Sequence, residues 1–196
     1  MNAIIDTSSL RALVNYYLPF DKNNALKGLL EHSFETGNLI FLDKVVAELR
    51  SQGSGRFYKE LDFLSNTSPL CKHIVATDAL LPYPKFITRV DDHFCYKEFK
   101  KSKNITDSQY EILKQKFLDG ADAKIILYAK TLQSKQQPLF GEPKKVLVVS
   151  EESSTPNDGK IFKKIPVICE YMSITCCTLP ELLRDHYELK LSEFFH

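Results

Sequence analysis

The stretch Val146-Leu147-Val148-Val149-Ser150 decides the fold that we expect for this chain. It is apolar for four consecutive residues and then becomes polar. A strand covered by helices on both faces of a parallel sheet has this continuous apolar pattern, whereas a strand with one wet face alternates. Two shorter apolar runs, Ala3-Ile4-Ile5 and Leu39-Ile40-Phe41-Leu42, have the same character. The sequence therefore predicts several short strands that are buried on both faces.

Helical patterns separate these strands. Apolar residues recur at the helical spacing from Leu10 to Tyr17, and again between about 23 and 36, where Gly37 ends the pattern. A third helical pattern runs from Asp119 to Leu132 and leads into the strand at Val146. Strands that alternate with helices indicate βαβ units and a parallel sheet. We therefore expect an α/β fold, a three-layer α/β/α arrangement with a central, mainly parallel sheet.

The length of 196 residues suits one domain with an elaboration. We expect a single domain over 1–196 with a helical insertion over about 80–118. Pro82, Pro84 and mixed aromatic and basic residues interrupt the regular pattern there. Near the end of this segment, Thr106 and Gln109 have the spacing of a capping box, which predicts the start of a helix.

Composition and charge restrict the classes of function. Lys and Arg total 26 and Asp and Glu total 25, which gives a net charge of +1. This balance excludes a uniformly basic coat but allows a local basic groove. The five cysteines form no disulfide pattern. The start MNAIIDTSSL lacks a basic targeting region, and no apolar run is long enough to cross a membrane. We expect a cytoplasmic protein without membrane contact.

Acidic residues fall at the predicted strand ends and on the adjoining helices. Asp6 ends the first strand, Glu151 and Glu152 follow the strand at Val146, and Glu48 and Asp122 lie on neighbouring helices. Ligands of parallel α/β sheets collect at the carboxyl ends of the strands. Carboxylates that converge there repel one another, so such clusters usually hold a cation. Because the donors are oxygens without a Cys or His spacing, we expect Mg²⁺ or Mn²⁺.

Helix capping is the simpler interpretation of individual acids. Asp43 and Asp119 stand at predicted helix starts, where a carboxylate accepts hydrogen bonds from free backbone N–H groups. We interpret both as caps. Thr7 or Ser8 is expected to cap the first helix, and either hydroxyl could also bond a carboxylate or a bound water.

Five segments in order share a pattern with one known family. They are IIDTSSL (4–10) with a first acid, FLDKVVAELR (41–50) with a second, ADAKIILYAK (121–130) with a third, VLVVSEE (146–152) with a fourth, and KIPVICEYMSI (164–174). Together they resemble the PIN-domain nucleases, the fold of many toxin–antitoxin ribonucleases such as the VapC-like toxins. The chain is most similar to a PIN-like branch with the signature V-V-T-E-E and I-P-x-x-C. Ser150 stands where that branch has Thr.

The resemblance implies a metal-dependent endoribonuclease, the toxin of a toxin–antitoxin system, that hydrolyses RNA phosphodiester bonds with Mg²⁺ or Mn²⁺. The implied catalytic residues and metal ligands are Asp6, Glu48, Asp122 and Glu152, and the implied supporting residues are Thr7, Ser8, Ser150 and Glu151. Either glutamate could be the fourth acid, and we favour Glu152. The implied partners are an RNA substrate and a protein antitoxin, and the active unit could be a homodimer.

Lysines cluster in two places that could bind RNA phosphates. Lys100 and Lys101 lie in the 80–118 segment, and Lys163 and Lys164 follow the fourth acid. A solvated lysine-rich surface explains the same pattern equally well. A catalytically silent PIN-like module that binds RNA or protein is the alternative function. A phosphatase with a D-x-D-x-T motif fits poorly, because Ser8 stands where the second Asp is needed.

Overall fold

The central sheet of the protein is parallel throughout, as the sequence predicts. The computed structural model describes residues 1–52, 55–135, 144–153, 159–190 and 192. In these residues the strands are β1 (Asn2–Ile5), β2 (Leu39–Ile40), β3 (Val146–Val149) and β4 (Thr175–Cys177). Their order across the sheet is β2-β1-β3-β4, and every neighbouring pair is parallel. Helices flank the sheet in a three-layer α/β/α arrangement, which confirms the predicted fold class.

The two middle strands are apolar because both of their faces are covered. Every side chain of 3–5 in β1 and 147–149 in β3 is fully buried. Their register pairs Ile5 with Val149, so the two strands end side by side. β2 and β3 pair with opposite edges of β1, although both follow β1 in the chain. The order in which the chain adds strands to the sheet therefore reverses between β1 and β3, and a crevice forms at such a switch point.

The helices of the described residues are α1 (Thr7–Ala12), α2 (Ala25–Glu35), α3 (Asp43–Ser51), α4 (Arg56–Glu60), α5 (Pro84–Arg89), α6 (Lys97–Ser102), α7 (Asp107–Asp119), α8 (Ala121–Lys135), α9 (Ile165–Tyr171) and α10 (Leu179–Glu181). π-Helical turns continue α1, α5 and α10 over Leu13–Tyr17, Val90–Phe94 and Leu182–His186. Short 3-10 turns occupy Leu18–Phe20, Lys22–Asn24, Asp62–Leu64 and Pro69–His73. None of the helices in the described ranges combines the length and apolarity that a membrane crossing requires.

Local signals in the sequence located several helix ends correctly. α2 ends before Gly37, whose φ of +73° lies in the left-handed region that favours glycine. The capping box is confirmed at the start of α7, where Thr106 and Gln109 bond each other's backbone.

Two predicted boundaries are wrong for tertiary reasons. The second strand was expected to reach Leu42 but ends at Ile40. Beyond that residue the backbone pairs with Val75, whose N–H donates to the Phe41 carbonyl at 2.9 Å. The helix expected from Asp119 begins at Ala121 instead. Asp119 is the last residue of α7, and its carboxylate accepts a hydrogen bond from Gln115 at 2.9 Å. Asp119 therefore bonds within α7, and the expectation that it caps α8 is wrong.

Asp43 lies in the first turn of α3, and its carboxylate also binds a distant segment. One carboxylate oxygen accepts from Lys44 N at 2.7 Å and the other from Thr77 N at 3.1 Å, while the Thr77 hydroxyl adds a third bond. Although burial raises the pKa of Asp43, these bonds lower it below its ordinary value overall. Asp43 is therefore a structural acid that fastens Thr77 to the start of α3.

The 80–118 segment is helical, as expected, and it is fastened to the chain that follows β3. Cys95 forms an antiparallel bridge with Phe162. Tyr96 N donates to the Ile161 carbonyl at 2.8 Å, and Lys163 N donates to the Phe94 carbonyl at 2.8 Å. The segment therefore lies against the loop that carries the predicted basic residues. Its description as an insertion in a single domain over 1–196 stays a prediction.

Candidate active site

Asp6 and Ser150 meet at the switch point of the sheet. Each follows the last residue of its strand, and Asp6 N donates to the Val149 carbonyl at 2.9 Å. The Ser150 hydroxyl donates to Asp6 Oδ2 at 3.2 Å, and both side chains are buried. The parallel register of β1 and β3 therefore brings together two polar residues that are 144 positions apart.

The Asp6 carboxylate is the cap of α1, so the expectation that Thr7 or Ser8 caps this helix is wrong. Asp6 Oδ1 accepts from Thr7 N at 2.6 Å, and Oδ2 accepts from Ser8 N at 3.4 Å. The Ser8 hydroxyl adds a bond of 2.6 Å to Oδ2. Asp6 is only 4% exposed, so these hydrogen bonds hold its carboxylate in one orientation. Ser8 and Ser150 thus orient the first acid.

Glu48 reaches the same place from α3. Its Oε2 accepts a hydrogen bond from the Thr7 hydroxyl at 2.9 Å, and its Oε1 accepts from Gln52 Nε2 at 3.0 Å. Thr7 is buried, whereas Glu48 is exposed to solvent. Thr7 therefore links the second acid to the end of β1, and its hydroxyl does not cap the helix.

The pKa of Asp122, in the first turn of α8, shows that the four acids interact electrostatically. Burial together with the negative charges of Asp6, Glu152 and Glu48 raises the pKa of Asp122 to about 7, while Lys160 opposes the shift. Like charges disfavour ionisation of a carboxyl group, and the effect falls with distance. The four predicted acids therefore lie close enough to influence one another electrostatically, and Lys160 offsets only part of their negative charge at Asp122.

The two glutamates after β3 separate clearly. Glu152 lies beside Asp122, with its Oε2 accepting from Ile165 N at 3.0 Å and its Oε1 3.9 Å from the Lys160 ammonium. Glu151 is exposed, and its Oε1 accepts from Leu179 N at 2.5 Å, at the start of α10. The geometry thus favours Glu152 as the fourth acid and gives Glu151 a role in the structure of α10.

A cavity of about 460 Å³ opens at these acids. Glu48, Asp122 and Glu152 line it, and so do Lys116, Lys160, Lys163 and Lys164. Leu113 and Phe117 of α7 form part of the wall, and the Phe117 ring stacks on Phe162 with centroids 4.5 Å apart. The 80–118 segment thus contributes a side of the cavity. The combination of acids with surrounding lysines suits an anionic ligand that is bound through a cation.

The predicted RNA-contacting lysines divide into two groups. Lys163 and Lys164 line the cavity, as expected of residues that contact a substrate there. Lys100 and Lys101 line a separate groove, and the Lys100 ammonium lies 2.9 Å from Asp107 and 4.3 Å from the Tyr110 ring centre. They are therefore not brought to the acids.

Of two other lysines at the cavity, Lys160 belongs to a cluster in which the sequence indicates phosphate contact, whereas Lys116 does not. Lys116 and Lys160 line it. Lys160 belongs to the basic run after the fourth acid, which was the available signal. Nothing local distinguishes Lys116 from other lysines of α7, because its place is set by the packing of α7 against α8.

The donor set suits Mg²⁺ or Mn²⁺, since four carboxylates and adjacent hydroxyls are hard oxygen ligands. Among the described residues, however, no three His, Cys, Asp or Glu side chains are grouped closely enough to hold a metal ion as they stand. Internal hydrogen bonds occupy the Asp6 and Glu48 oxygens, and the acids repel one another. The residues fit the cation by their chemistry, and binding would require their side chains to draw together.

The fold and the site define a class: a three-layer α/β/α protein with an acidic, lysine-rimmed cavity at the switch point of a parallel sheet. The chain belongs to the family described as "Domain of unknown function (DUF4411)", whose model matches residues 84–189, just over half of the chain. The match covers Asp122 and Glu152 but begins after Asp6 and Glu48. No curated protein and no solved structure shows a significant match to the chain.

Proposed function

We propose that this protein is a Mg²⁺- or Mn²⁺-dependent endoribonuclease that hydrolyses phosphodiester bonds in RNA. The observation that carries the proposal is that Glu48, Asp122 and Glu152 line one cavity together with lysines, and that buried Asp6 acts on Asp122 from behind it. Crowded carboxylates destabilise a fold unless they bind a cation. Lysines beside such a cation favour an anionic substrate. A phosphodiester can bind the cation and the lysines at the same time.

The side chains of this site have three different roles in the proposed reaction. Asp6, Glu48, Asp122 and Glu152 would hold the metal, directly or through water. Ser8 and Ser150 fix the orientation of Asp6, and Thr7 fixes that of Glu48. Lys163 and Lys164 would bind phosphates of the substrate. When bound, the cation supplies an activated water and charge stabilisation at the scissile phosphate. No side chain is needed as a covalent nucleophile.

The choice of RNA and the biological role rest on the resemblance to PIN-domain nucleases. On that basis we further propose that the protein is the toxin of a toxin–antitoxin pair, acts in the cytoplasm and is inhibited by a protein antitoxin. Assembly as a homodimer belongs to the same proposal. Two experiments would test this role. A partner encoded next to the protein should co-purify with it, and expression of that partner should restore growth of cells that express the protein.

The nuclease activity is tested with purified protein and end-labelled RNA. Cleavage should require Mg²⁺ or Mn²⁺ and should stop with EDTA. Asp122→Asn should abolish cleavage, because it removes a charge from the cavity while keeping the shape of the side chain. Asp119→Asn is the matched control, since Asp119 is exposed and its carboxylate accepts a hydrogen bond from Gln115 of the same helix. Equal activity of the Asp122 variant and the wild type would overturn the assignment.

A binding module without catalysis is the second candidate, and one observation favours it. In the described residues internal hydrogen bonds hold the Asp6 and Glu48 carboxylates, and no three of the acids are grouped as a metal site. Such a module would bind RNA equally well with EDTA and with Mn²⁺, and it would leave the RNA intact. Metal-dependent cleavage separates the two candidates.

A further inference from the structure

A pair of exposed rings lies beside Lys163, a residue that lines the cavity. Tyr171, the last residue of α9, is 46% exposed, and the ring of exposed His93 stacks on it with centroids 5.4 Å apart and planes 22° apart. We call these two residues the aromatic rim. Single exposed aromatic residues are common, but two stacked rings, one of which contacts a lysine of the cavity lining, are a more specific arrangement.

Lys163 connects the aromatic rim to the acidic cavity. Its ammonium lies 4.5 Å from the centre of the Tyr171 ring and donates to the Tyr171 hydroxyl at 3.2 Å. The same lysine lines the cavity with Asp122 and Glu152. A ligand that leaves the acids past Lys163 would therefore meet the aromatic rim next.

The backbone holds these groups in place before any ligand binds. Lys163 N donates to the Phe94 carbonyl, next to His93, and Cys95 bridges to Phe162. His93 and Lys163 are thus attached to one short pairing between the 80–118 segment and the chain after β3, and Tyr171 is held as the last residue of α9. A preformed surface loses less conformational entropy on binding.

We propose that the aromatic rim and Lys163 bind one nucleotide of a single-stranded RNA beside the cavity, with the base stacked on the rings and the phosphate on Lys163. The inference rests on the proposed function, because it takes the cavity as the place of phosphodiester cleavage. Aromatic stacking accepts any base, whereas bases inside a duplex already stack on their neighbours. The 80–118 segment, which supplies His93, thereby takes part in selecting unpaired RNA.

Binding is measured in Mn²⁺ with the Asp122→Asn protein, which should not cleave, using a fluorescently labelled single-stranded RNA oligonucleotide whose integrity is checked on a gel. Adding Tyr171→Ala should raise Kd at least about fivefold, the loss expected for one stacked base. Adding Tyr171→Phe should retain the affinity, because the ring remains. Tyr16→Ala, at a tyrosine that is 70% exposed and lies outside the cavity lining, is the matched control and should change nothing.

Lys163→Ala should act differently, by lowering the dependence of log Kd on log salt by about 0.7, the value for one phosphate of a single strand. Thermal melts check that every variant is folded. Unchanged binding by folded Tyr171→Ala overturns the aromatic rim, and so does an absence of RNA binding by the Asp122→Asn protein. Both results leave cleavage by the wild type as a separate measurement, so the failure of the rim and the failure of the nuclease are distinguishable.

Discussion

Thr7 touches two of the four converging acids. Its backbone N–H donates to Asp6 Oδ1 at 2.6 Å, and its hydroxyl donates to Glu48 Oε2 at 2.9 Å, although Glu48 lies 41 positions further along the chain. One buried residue therefore couples the end of β1 to α3. In sites that bind metals, such outer contacts fix the directions of the ligands.

Removal of the Thr7 hydroxyl should weaken metal binding more than it weakens the fold. Thr7→Val removes the donor to Glu48 Oε2, so we expect Kd for Mn²⁺ to rise by roughly tenfold or more. The free energy of unfolding should fall by only about 1 kcal/mol, the net contribution of one hydrogen bond. Calorimetric titration with Mn²⁺ and a urea melt measure the two effects.

Thr7→Ser keeps the hydroxyl and is the control for this prediction. It should retain Mn²⁺ affinity close to that of the wild type. If the Val and Ser variants bind Mn²⁺ equally well, the contact between Thr7 and Glu48 is structural only.

Asp122 should make the metal-free protein less stable as the pH rises. Its pKa is raised from the ordinary value of 3.8 to about 7 by burial and by the neighbouring acids, so the folded state binds a proton more tightly than the unfolded state. The stability that this proton provides is complete below about pH 4 and is lost as the pH rises through 7. Asp122→Asn should therefore gain stability relative to the wild type between pH 4 and pH 8.

Urea melts in EDTA across this pH range test the effect of Asp122. Asp119→Asn serves as the control and should follow the wild type, because Asp119 is exposed at the end of α7. A constant difference between the wild type and Asp122→Asn at all pH values would show that Asp122 ionises normally.

Metal binding should raise the melting temperature. A ligand at 100 times its Kd stabilises the native state by about 2.7 kcal/mol, which corresponds to roughly 5–10 °C for a chain of this size. Mn²⁺ should produce this shift, and NaCl at matched ionic strength should produce less. Asp6→Asn should reduce the shift, because it removes one of the converging charges.

The metal-free stability of Asp6→Asn should stay close to that of the wild type, since two effects oppose each other. Relief of repulsion among the acids stabilises the variant, whereas the loss of a charged acceptor weakens the bonds from Thr7 and Ser8. Asn remains a good helix cap. Equal Mn²⁺-induced shifts in both proteins would exclude a cation shared by these carboxylates.

The two glutamates after β3 should respond in opposite ways. Glu152→Gln should greatly reduce cleavage with little change in melting temperature, since Glu152 lines the cavity. Glu151→Ala should leave cleavage intact and destabilise the fold by about 1 kcal/mol, because the start of α10 loses an acceptor for Leu179 N. Parallel cleavage assays and melts distinguish them, and inactivation by Glu151→Ala alone would reverse the assignment.

The sheet and the edge at which the acids lie were predictable from the sequence. Apolar runs such as Val146–Val149 are typical of strands covered on both faces in a parallel sheet, where the carboxyl ends of the strands share one edge. Asp6 and Ser150, which follow two of these runs, were therefore expected at that edge, and the pairing of β1 with β3 brings them into contact. Helix ends were predictable where a local signal is complete, as in the capping box of Thr106.

Only the tertiary structure decided which polar groups bond to one another. The packing of distant elements sets each of these contacts. It places the Thr7 hydroxyl on Glu48, and it puts Glu152, and not Glu151, beside Asp122. It also brings Lys163 to the cavity, whereas Lys100 pairs with Asp107. Hydrophobic periodicity carries the direction of a side chain relative to its own helix or strand. It carries no information about which side chain of another element lies opposite, because hydrogen bonds and charge interactions depend on distances that packing alone sets.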